Sequence, residues 1–507
     1  MPSYSMKRLL TAGLLVSGGL FLGRITGFVR EVTIASAFGT TEDADIVIFT
    51  LTLPDFMINI LMGGALAAAL IPELKKLDPP GAHQLFLQSS VVAGLGFSVL
   101  VGILMIFPDF LVLLFAPGFT EKAVEVSSQL IRYSLWVVPL TALSGVTTAY
   151  LQAENRFGIA ALGTLIFNTT LVIAFLLFIN DTSEIYFLGW AVILAGLIRW
   201  ISQWIASMQI KPQGSAPAGW RIDKPLLVRY LQALGSGSLL LVMPIIARTL
   251  ASMEGSGSFA TINYLTKLVE LPMGICLGVF AVVLFPTLSG LFSEGENEKG
   301  LEIARIGVMS LFIASYSIVL VSIWFSEDLT RIVYEWGKMG DGSLVQIAGL
   351  LQIGILALPA QGLSALMTSV SNAKKDTKLP LVSSLIGVVL FVPLALLMSR
   401  VANLEGIVWA LVIVYWLVLG IQVFLLHKHH GFNFVPMESI KDFLKVTILG
   451  MLLFIPFAWF SSVFEGSQTV SFILAVLASL VISGGALFSI QHYRVYFLQQ
   501  LRNRLNA

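Results

Sequence analysis

Long apolar segments recur along almost the whole chain, and they constrain its fold more than any other feature. A helix of about 20 residues crosses the hydrocarbon core of a bilayer. Fourteen segments reach that length: 8–37, 43–74, 85–116, 124–152, 158–180, 185–210, 225–252, 258–291, 301–326, 343–371, 379–399, 404–427, 440–463 and 468–491. With 57% hydrophobic and 12% charged residues, the chain is predicted to be an all-α polytopic membrane protein with fourteen transmembrane helices.

Basic residues concentrate in the connections on one side of this predicted membrane. Those connections carry Lys75, Lys76, Arg156, Lys211, Arg221, Lys224, Lys299, Lys374, Lys375, Lys378, Lys428, Lys441 and the tail residues Arg494, Arg502 and Arg504. The opposite connections hold only Lys122, Arg331, Lys338 and Arg400. Because cytoplasmic loops carry the excess of Lys and Arg, both termini are predicted to be cytoplasmic.

The N-terminus allows two interpretations. Basic residues before an apolar run, followed by Ala35-Ser36-Ala37, superficially resemble a cleavable signal peptide. Arg24, Arg30 and Glu31 interrupt the segment ahead of that site, which would also lie unusually far along the chain. The first segment is therefore interpreted as a retained membrane span.

The Pro/Gly/Ser-rich stretch KPQGSAPAGWRIDK is predicted to be a linker that divides the chain. The predicted domains are an N-terminal lobe at 1–210 with spans 1 to 6, the cytoplasmic linker at 211–224, a C-terminal lobe at 225–430 with spans 7 to 12, and spans 13 and 14 with a cytoplasmic tail at 431–507. No connection is long enough to form a folded domain outside the membrane, so the function is expected to reside within the spans.

Weak internal similarity relates the two lobes. Asp45 precedes Leu53-Pro54 by the same spacing at which Asn263 precedes Leu271-Pro272, and Arg30 at the end of span 1 has a counterpart in Arg248. An offset of six spans preserves the membrane orientation. The sequence thus predicts two six-helix lobes related by a parallel pseudo-two-fold axis, plus two C-terminal helices, an architecture typical of alternating-access transporters.

Charged residues inside the predicted spans are the candidate functional groups, because a charge facing lipid is costly. Arg24 and Arg30 lie in span 1 and Lys267 in span 8. Arg24 lies about 24 Å along the helix from Arg8, well inside the span. Six residues correspond to about 240° of helical rotation, so Arg24 and Arg30 do not share a face of a straight helix.

Each of these cations also has a purely structural interpretation. Arg30 could pair with Glu31 at the membrane interface, Lys267 could pair with Glu270 three residues later, and Arg24 could pair with a distant acid such as Asp45. If the cations instead line a watery cavity, the ligand is expected to be anionic, and a pyrophosphate suits guanidinium groups.

Several function classes find no support in the sequence. A net charge of +1 argues against a nucleic-acid partner, and the single cysteine, Cys276, has no disulfide partner. No P-loop and no nucleophile motif is present, so an enzyme is not expected. His427, His429 and His430 could bind a metal, but a solvated cytoplasmic turn is favoured. No metal or cofactor is predicted.

Six motifs are distributed along the chain: GRITGFVRE at 23–31, ASAFG at 35–39, GALAAALIPEL at 64–74, AENRFG at 153–158, KLVELPMGICLGV at 267–279 and AKKDTKLP at 373–380. Together these motifs resemble those of the MurJ/MviN lipid II flippases. The resemblance implies the multidrug/oligosaccharidyl-lipid/polysaccharide exporter fold. It also implies a function: moving undecaprenyl-pyrophosphate-linked peptidoglycan precursor from the cytoplasmic to the periplasmic leaflet of the bacterial inner membrane, by alternating access through a central cationic cavity.

The resemblance assigns roles to individual residues. Arg24, Arg30 and Lys267, which replaces an arginine, match the family's substrate-binding cations, while Asp45 and Glu270 match acidic cavity positions. The final two spans are implied to form a groove for the lipid tail. The expected partners are the lipid-linked oligosaccharide and membrane lipids, and the oligomeric state is left open.

One departure keeps other functions in view. Ile58, Asn59 and Gly63 stand where the family carries a basic pair and an acid in span 2, so the cavity loses charge. This favours, as the alternative, a flippase for another polyprenyl-linked oligosaccharide of an exopolysaccharide or surface antigen. A multidrug or cation antiporter, a membrane glycosyltransferase acting on the same lipid and a non-transporting scaffold are weaker alternatives.

Overall fold

Helix is the only regular secondary structure in the residues that the structure describes. This computed structural model describes residues 6–60, 66–179, 184–210, 214, 219–222, 242–374, 376–434, 437–463 and 468–490, and these residues contain no strand. The prediction of an all-α protein is therefore confirmed.

Contacts between Cα atoms divide the chain into two compact units. The first contains residues 1–264 together with 336–339, and the second contains 265–335 together with 340–507. The predicted lobes, linker and C-terminal pair of spans remain a prediction, as does the pseudo-two-fold axis. Within the predicted linker, the described residues are 214 and 219–222.

The helices follow one another with short connections. In chain order they are α1 (Met6–Phe38), α2 (Glu42–Ile60), α3 (Leu66–Lys76), α4 (Pro79–Leu104), α5 (Pro108–Phe115), α6 (Glu121–Ser134), α7 (Val137–Ala153), α8 (Phe157–Ala161), α9 (Gly163–Phe178), α10 (Phe187–Met208), α11 (described over 242–251), α12 (Ser258–Ser293), α13 (Asn297–Trp324), α14 (Ser326–Tyr334), α15 (Asp341–Gly354), α16 (Leu358–Ala373), α17 (Lys378–His430), α18 (Met437–Val463) and α19 (Gln468–Ser489).

In the first unit, α7 is the central helix and α1 lies against the short helix α8 and α9. Helix α7 packs against α3, α4 and α10, and nearly all of its side chains are buried, including several hydroxyl groups. Serine and threonine occupy little volume, so they allow neighbouring helices to approach α7 closely. Helix α10 packs against both α7 and α9, and α1 packs along α9.

In the second unit, α17 contains a sharp reversal. Ala402 and Asn403 have non-helical backbone angles, with φ of 45° at Asn403. A Cβ placed on Gly406 would lie 2.2 Å from the Met398 carbonyl oxygen, and one on Gly387 would lie 2.5 Å from Val418. The two arms, 378–401 and 404–430, therefore fold back on one another. They contain the predicted spans 379–399 and 404–427.

Eight described helical stretches are long and apolar enough to cross a membrane. They are Pro79–Leu104, Glu121–Ala153, Phe187–Met208, Asn297–Trp324, Asp341–Ala373, Lys378–His430, Ile440–Ser462 and Gln468–Ser489. In the most apolar parts of Pro79–Leu104 and Ile440–Ser462, only 17% and 11% of the residues, respectively, are buried. Apolar surface of that extent suits contact with lipid. The protein is thus a multi-pass membrane protein, while the exact number of fourteen spans stays a prediction.

Candidate functional site

The faces of α1 are set by a stripe of glycines at positions 19, 23 and 27. A Cβ added to these residues would lie 2.5 Å from Ala161 Cβ, 3.0 Å from Thr164 Cβ and 3.1 Å from Asn168 Nδ2, respectively. Since small residues at a spacing of four bring helix backbones together, α1 packs tightly along α8 and α9. This packing fixes the directions in which Arg24 and Arg30 point.

A pair of neighbouring glycines tests this close packing. In a Gly19→Ala variant the new methyl group would lie 2.5 Å from Ala161 Cβ and 3.0 Å from its carbonyl oxygen, so α1 must move away. We expect the free energy of unfolding in detergent to fall by about 1 to 3 kcal/mol, the usual cost of overpacking. A Cβ on Gly18 has nothing within 4 Å, so Gly18→Ala is expected to add about 0.5 to 1 kcal/mol through helix propensity. Equal effects of the two substitutions would contradict the packing described.

Arg24 and Arg30 are in opposite environments, as their helical spacing predicts. The Arg24 side chain is exposed, whereas Arg30 is 4% exposed. Asn168 helps to hold the helix between them, because its Nδ2 donates to the Gly23 carbonyl oxygen at 3.1 Å. In this conformation the Arg24 side chain is exposed and that of Arg30 is enclosed.

The Arg30 guanidinium is held by acceptors from three helices. Nη1 and Nη2 donate to the two carboxylate oxygens of Asp55 on α2, at 3.1 and 2.6 Å. Nη2 also donates to Glu31 Oε1 at 2.6 Å, and Nη1 donates to Asn168 Oδ1 on α9 at 3.2 Å. The ion pair with Glu31 expected from the sequence is therefore present, but it is buried and shared with Asp55.

The network continues from Glu31 to a second arginine. Glu31 Oε2 accepts from Asn263 Nδ2 at 2.7 Å, and Asn263 Oδ1 accepts from Arg248 Nη1 at 2.7 Å. Arg248 Nη1 lies 3.4 Å from the Thr52 hydroxyl as well. This buried chain of hydrogen bonds joins α1, α2, α11 and the first turns of α12 within the first unit, and its two arginines are balanced by the carboxylates of Glu31 and Asp55.

Asp45 lies outside this hydrogen-bond network, and its carboxylate accepts hydrogen bonds from the N-terminal end of α12. It is 2% exposed, and its carboxylate accepts from the backbone N–H groups of Gly257 at 2.6 Å and Ala260 at 2.7 Å. Gly257 directly precedes α12 and Ala260 lies in its first turn, where no intrahelical acceptor is available. A negative charge is also favourable at the positive end of the helix dipole. Asp45 thus acts as a capping residue supplied by α2.

Lys267 and Glu270 belong to the second unit and form the ion pair that their spacing predicts. Lys267 Nζ lies 2.9 Å from Glu270 Oε2, with side-chain exposures of 25% and 40%. Both groups remain within reach of solvent or a ligand. The altered span-2 positions Ile58, Asn59 and Gly63 lie outside the residues whose side chains the structure describes.

The histidine cluster after span 12 contacts an aspartate. His430 Nε2 lies 3.1 Å from Asp376 Oδ2, and His429 Nδ1 lies 3.9 Å from the same oxygen. Among the described residues, no three His, Cys, Asp or Glu side chains are grouped closely enough to hold a metal ion.

Sequence reasoning found the cations but missed most of their partners. Asp55, Asn168 and Asn263 reach Arg30 and Glu31 from other helices. The sequence feature that could have pointed to these partners is the internal similarity that relates Arg30 to Arg248 and Asp45 to Asn263. Three of these four residues meet in the same buried network, and Asp45 lies apart from it.

Residues 34–479 match the family model described as lipid II flippase MurJ. Relatives along most of the chain include a probable lipid II flippase MurJ of Rickettsia prowazekii, 23% identical over 496 residues and covering 95% of this chain and 96% of the relative. A lipid II flippase MurJ of Burkholderia cenocepacia is 24% identical over 407 residues, covering 76% and 77% of the two chains.

Solved structures show the same fold. A lipid II flippase MurJ in an inward closed conformation superposes with a TM-score of 0.74 at 19% identity, covering 93% of this chain and 98% of that one. An inward-facing multidrug resistance MATE family transporter of the MOP superfamily gives a TM-score of 0.68 at 14% identity, covering 82% and 97%. The first likeness extends over more of the chain, in agreement with the family match.

Proposed function

This chain belongs to the lipid II flippase MurJ family, and from that premise we propose that it moves lipid II from the cytoplasmic to the periplasmic leaflet of the bacterial inner membrane. The observation that carries the proposal is the family match, which extends over residues 34–479. The relatives are named as flippases, and a flippase is a transporter, so the proposed process is translocation by alternating access without a chemical reaction. Both termini are proposed to face the cytoplasm, in keeping with the distribution of Lys and Arg.

Arg24 is proposed to be the main contact for the diphosphate of the substrate. Its side chain is exposed, and the glycine stripe of α1 places it away from the contact with α9. A guanidinium can donate two parallel hydrogen bonds to phosphate oxygens, which gives both affinity and orientation. Lys267, at 25% side-chain exposure, would add a second positive charge without the planar fork.

Arg30 is proposed to bind substrate only after a conformational change. Its two carboxylate partners and its 4% exposure leave no access for a diphosphate in the conformation described. A diphosphate offers the same kind of oxygen acceptors as Asp55, so it could replace that carboxylate when α1 and α2 separate. Asp45 and Glu270 are proposed to control this change as acidic residues: Asp45 by holding the start of α12 and Glu270 by restraining Lys267.

The test is complementation in a bacterium whose resident lipid II flippase is depleted. With this chain expressed, we expect lipid II to become accessible again at the outer face of the membrane. We expect Arg24→Ala to reduce the accessible lipid II to the level of depleted cells, since the exposed guanidinium proposed as the main diphosphate contact is lost. The matched control is Arg132→Ala, which removes an exposed arginine from the last turn of α6 and is expected to leave accessibility unchanged.

Each outcome of this experiment is decisive. If the chain is inserted but restores no lipid II accessibility, lipid II is not its substrate, and the same assay with other polyprenyl-linked oligosaccharides identifies the alternative. If accessibility is restored and survives Arg24→Ala, the flippase function holds but the role proposed for Arg24 is wrong.

A further inference from the structure

Arg199 on α10 is a buried arginine that the proposed mechanism does not use. It is 1% exposed and lies in a predicted membrane span. Among the described residues, none accepts a hydrogen bond from its Nε, Nη1 or Nη2. Arginine cannot release its proton to escape burial, and an uncompensated buried charge is strongly unfavourable. Its charge therefore requires a negative group from elsewhere.

The comparison with Arg30 makes this requirement specific. Both arginines are buried in the first unit, at 4% and 1% exposure. Arg30 has two carboxylates and an amide oxygen as acceptors, which is the usual solution for a buried guanidinium. Arg199 lacks any such acceptor within the described parts of the chain.

Gln203 on α10 and Gly163 on α9 both lie beside the Arg199 guanidinium. Gln203 follows one turn later on α10, is 0% exposed, and has neither amide atom hydrogen-bonded to a described residue. Opposite both lies Gly163: a Cβ there would be 2.7 Å from Gln203 Nε2 and 3.0 Å from Arg199 Nε. Because Gly163 has no side chain, the Arg199 guanidinium and the Gln203 amide lie directly against the first residue of α9. Both groups carry N–H donors.

Gly163 is also the first residue of α9. Leu162 forms a turn between α8 and α9, with its N–H donating to the Ile159 carbonyl oxygen, and its own carbonyl oxygen accepts from the Ile166 N–H in α9. The N–H groups of the first turn point out of a helix end, which carries a partial positive charge. The partial positive charge at the N-terminus of α9 is unfavourable beside the Arg199 guanidinium but favourable beside an anion. The helix end and the guanidinium therefore attract the same kind of ligand.

We propose that Arg199, Gln203 and the N-terminus of α9 form a binding site for a phosphate-type oxyanion. The planar fork of Arg199 matches two phosphate oxygens, and Gln203 can donate to a third. This site is distinct from the Arg30 network and its partners Glu31 and Asp55.

The position of the site along α10 indicates where the anion comes from. Gln203 and Arg199 lie about 8 and 14 Å from Met208 by helical rise, and Met208 ends α10 just before the predicted cytoplasmic linker. Both residues lie nearer to this end of α10 than to its start at Phe187. The anion is therefore the phosphate of a lipid headgroup in the cytoplasmic leaflet or free phosphate from the cytoplasm.

The test measures binding to the full chain, purified in detergent and stripped of copurifying lipid. One arm titrates inorganic phosphate at constant ionic strength, and the other titrates phosphatidylglycerol in mixed micelles, with the melting temperature as the readout. We expect wild type to be stabilised in at least one arm. Stabilisation by inorganic phosphate shows that the free anion suffices, whereas stabilisation by phosphatidylglycerol alone identifies the headgroup.

Three variants locate the effect. Arg199→Met is expected to weaken the apparent affinity at least tenfold, and it is expected to fold because an apolar side chain suits the buried position. Gly163→Ala retains the charge, but its methyl group would lie 2.7 Å from Gln203 Nε2 and 3.0 Å from Arg199 Nε. Both side chains must then move away from α9, so this variant is also expected to weaken binding. Arg132→Met, at an exposed arginine, is expected to bind like wild type.

Two results would overturn the proposal. One is a wild-type protein that responds to neither phosphate source. The other is a response that Arg199→Met and Gly163→Ala leave unchanged. Because the assay measures binding and not translocation, it gives an answer whether or not the chain flips lipid II.

Discussion

An Arg30→Met variant is expected to lose about 3 kcal/mol of unfolding free energy or more, the cost of removing one partner from a buried ion pair. The substitution leaves the carboxylates of Glu31 and Asp55 close together, since both lie 2.6 Å from the same Arg30 nitrogen. It also leaves Asn168 Oδ1 without this donor. Thermal unfolding in detergent measures the loss, and Arg132→Met, with an exposed side chain, is the control for removing an arginine.

A second substitution separates the structural role of Arg30 from its proposed role in transport. Adding Asp55→Asn to Arg30→Met removes one of the two opposed charges, so most of the lost stability should return. Lipid II accessibility should not return, because the cation proposed to bind the diphosphate is still missing. A double variant that regains both stability and transport would show that Arg30 serves packing alone.

Asp45→Ala is expected to destabilise the protein by about 2 to 4 kcal/mol, because two buried N–H groups lose their acceptor. Those groups, on Gly257 and Ala260, lie 2.6 and 2.7 Å from the Asp45 carboxylate. Asp45→Asn keeps one amide oxygen as an acceptor and should fall between wild type and alanine. Thermal unfolding of the three proteins gives this order.

The control for the Asp45 series is an aspartate with the same charge but an exposed side chain. Asp109, in the first turn of α5, is such a residue, and Asp109→Ala is expected to change the unfolding free energy by less than about 1 kcal/mol. If Asp45→Ala is no more harmful than Asp109→Ala, the capping role of Asp45 is wrong.

The sequence predicts those features of this fold that depend on local pattern. The apolar segments lead to an all-helical membrane protein, and the rotation between Arg24 and Arg30 correctly indicates that the two side chains differ in environment. The spacing of Lys267 and Glu270 correctly indicates their ion pair. All three inferences rest on neighbours within one helix, where geometry is fixed by the helical repeat.

Contacts between distant segments could not be predicted in the same way. Asp55 and Asn168 reach Arg30 across 25 and 138 positions of sequence, and nothing in a single chain's local pattern specifies which helices will be adjacent. Arg199 shows the same limitation from the opposite side. Like Arg24, Arg199 lies within an apolar span of the sequence. Its burial is evident only from the packing of α10 against Gly163 of α9.

The contact between Asp45 and the start of α12 has a consequence for biosynthesis. The carboxylate and the Gly257 N–H that it accepts from are 212 positions apart, so the ribosome makes the acid long before its donors emerge. Until then, burial of the Asp45 carboxylate on α2 is unfavourable, and water or a transient donor must supply its hydrogen bonds. The final burial of α2 therefore waits for the translation of residues 257–260, and the N-terminal half of the molecule matures only when the chain has passed its midpoint.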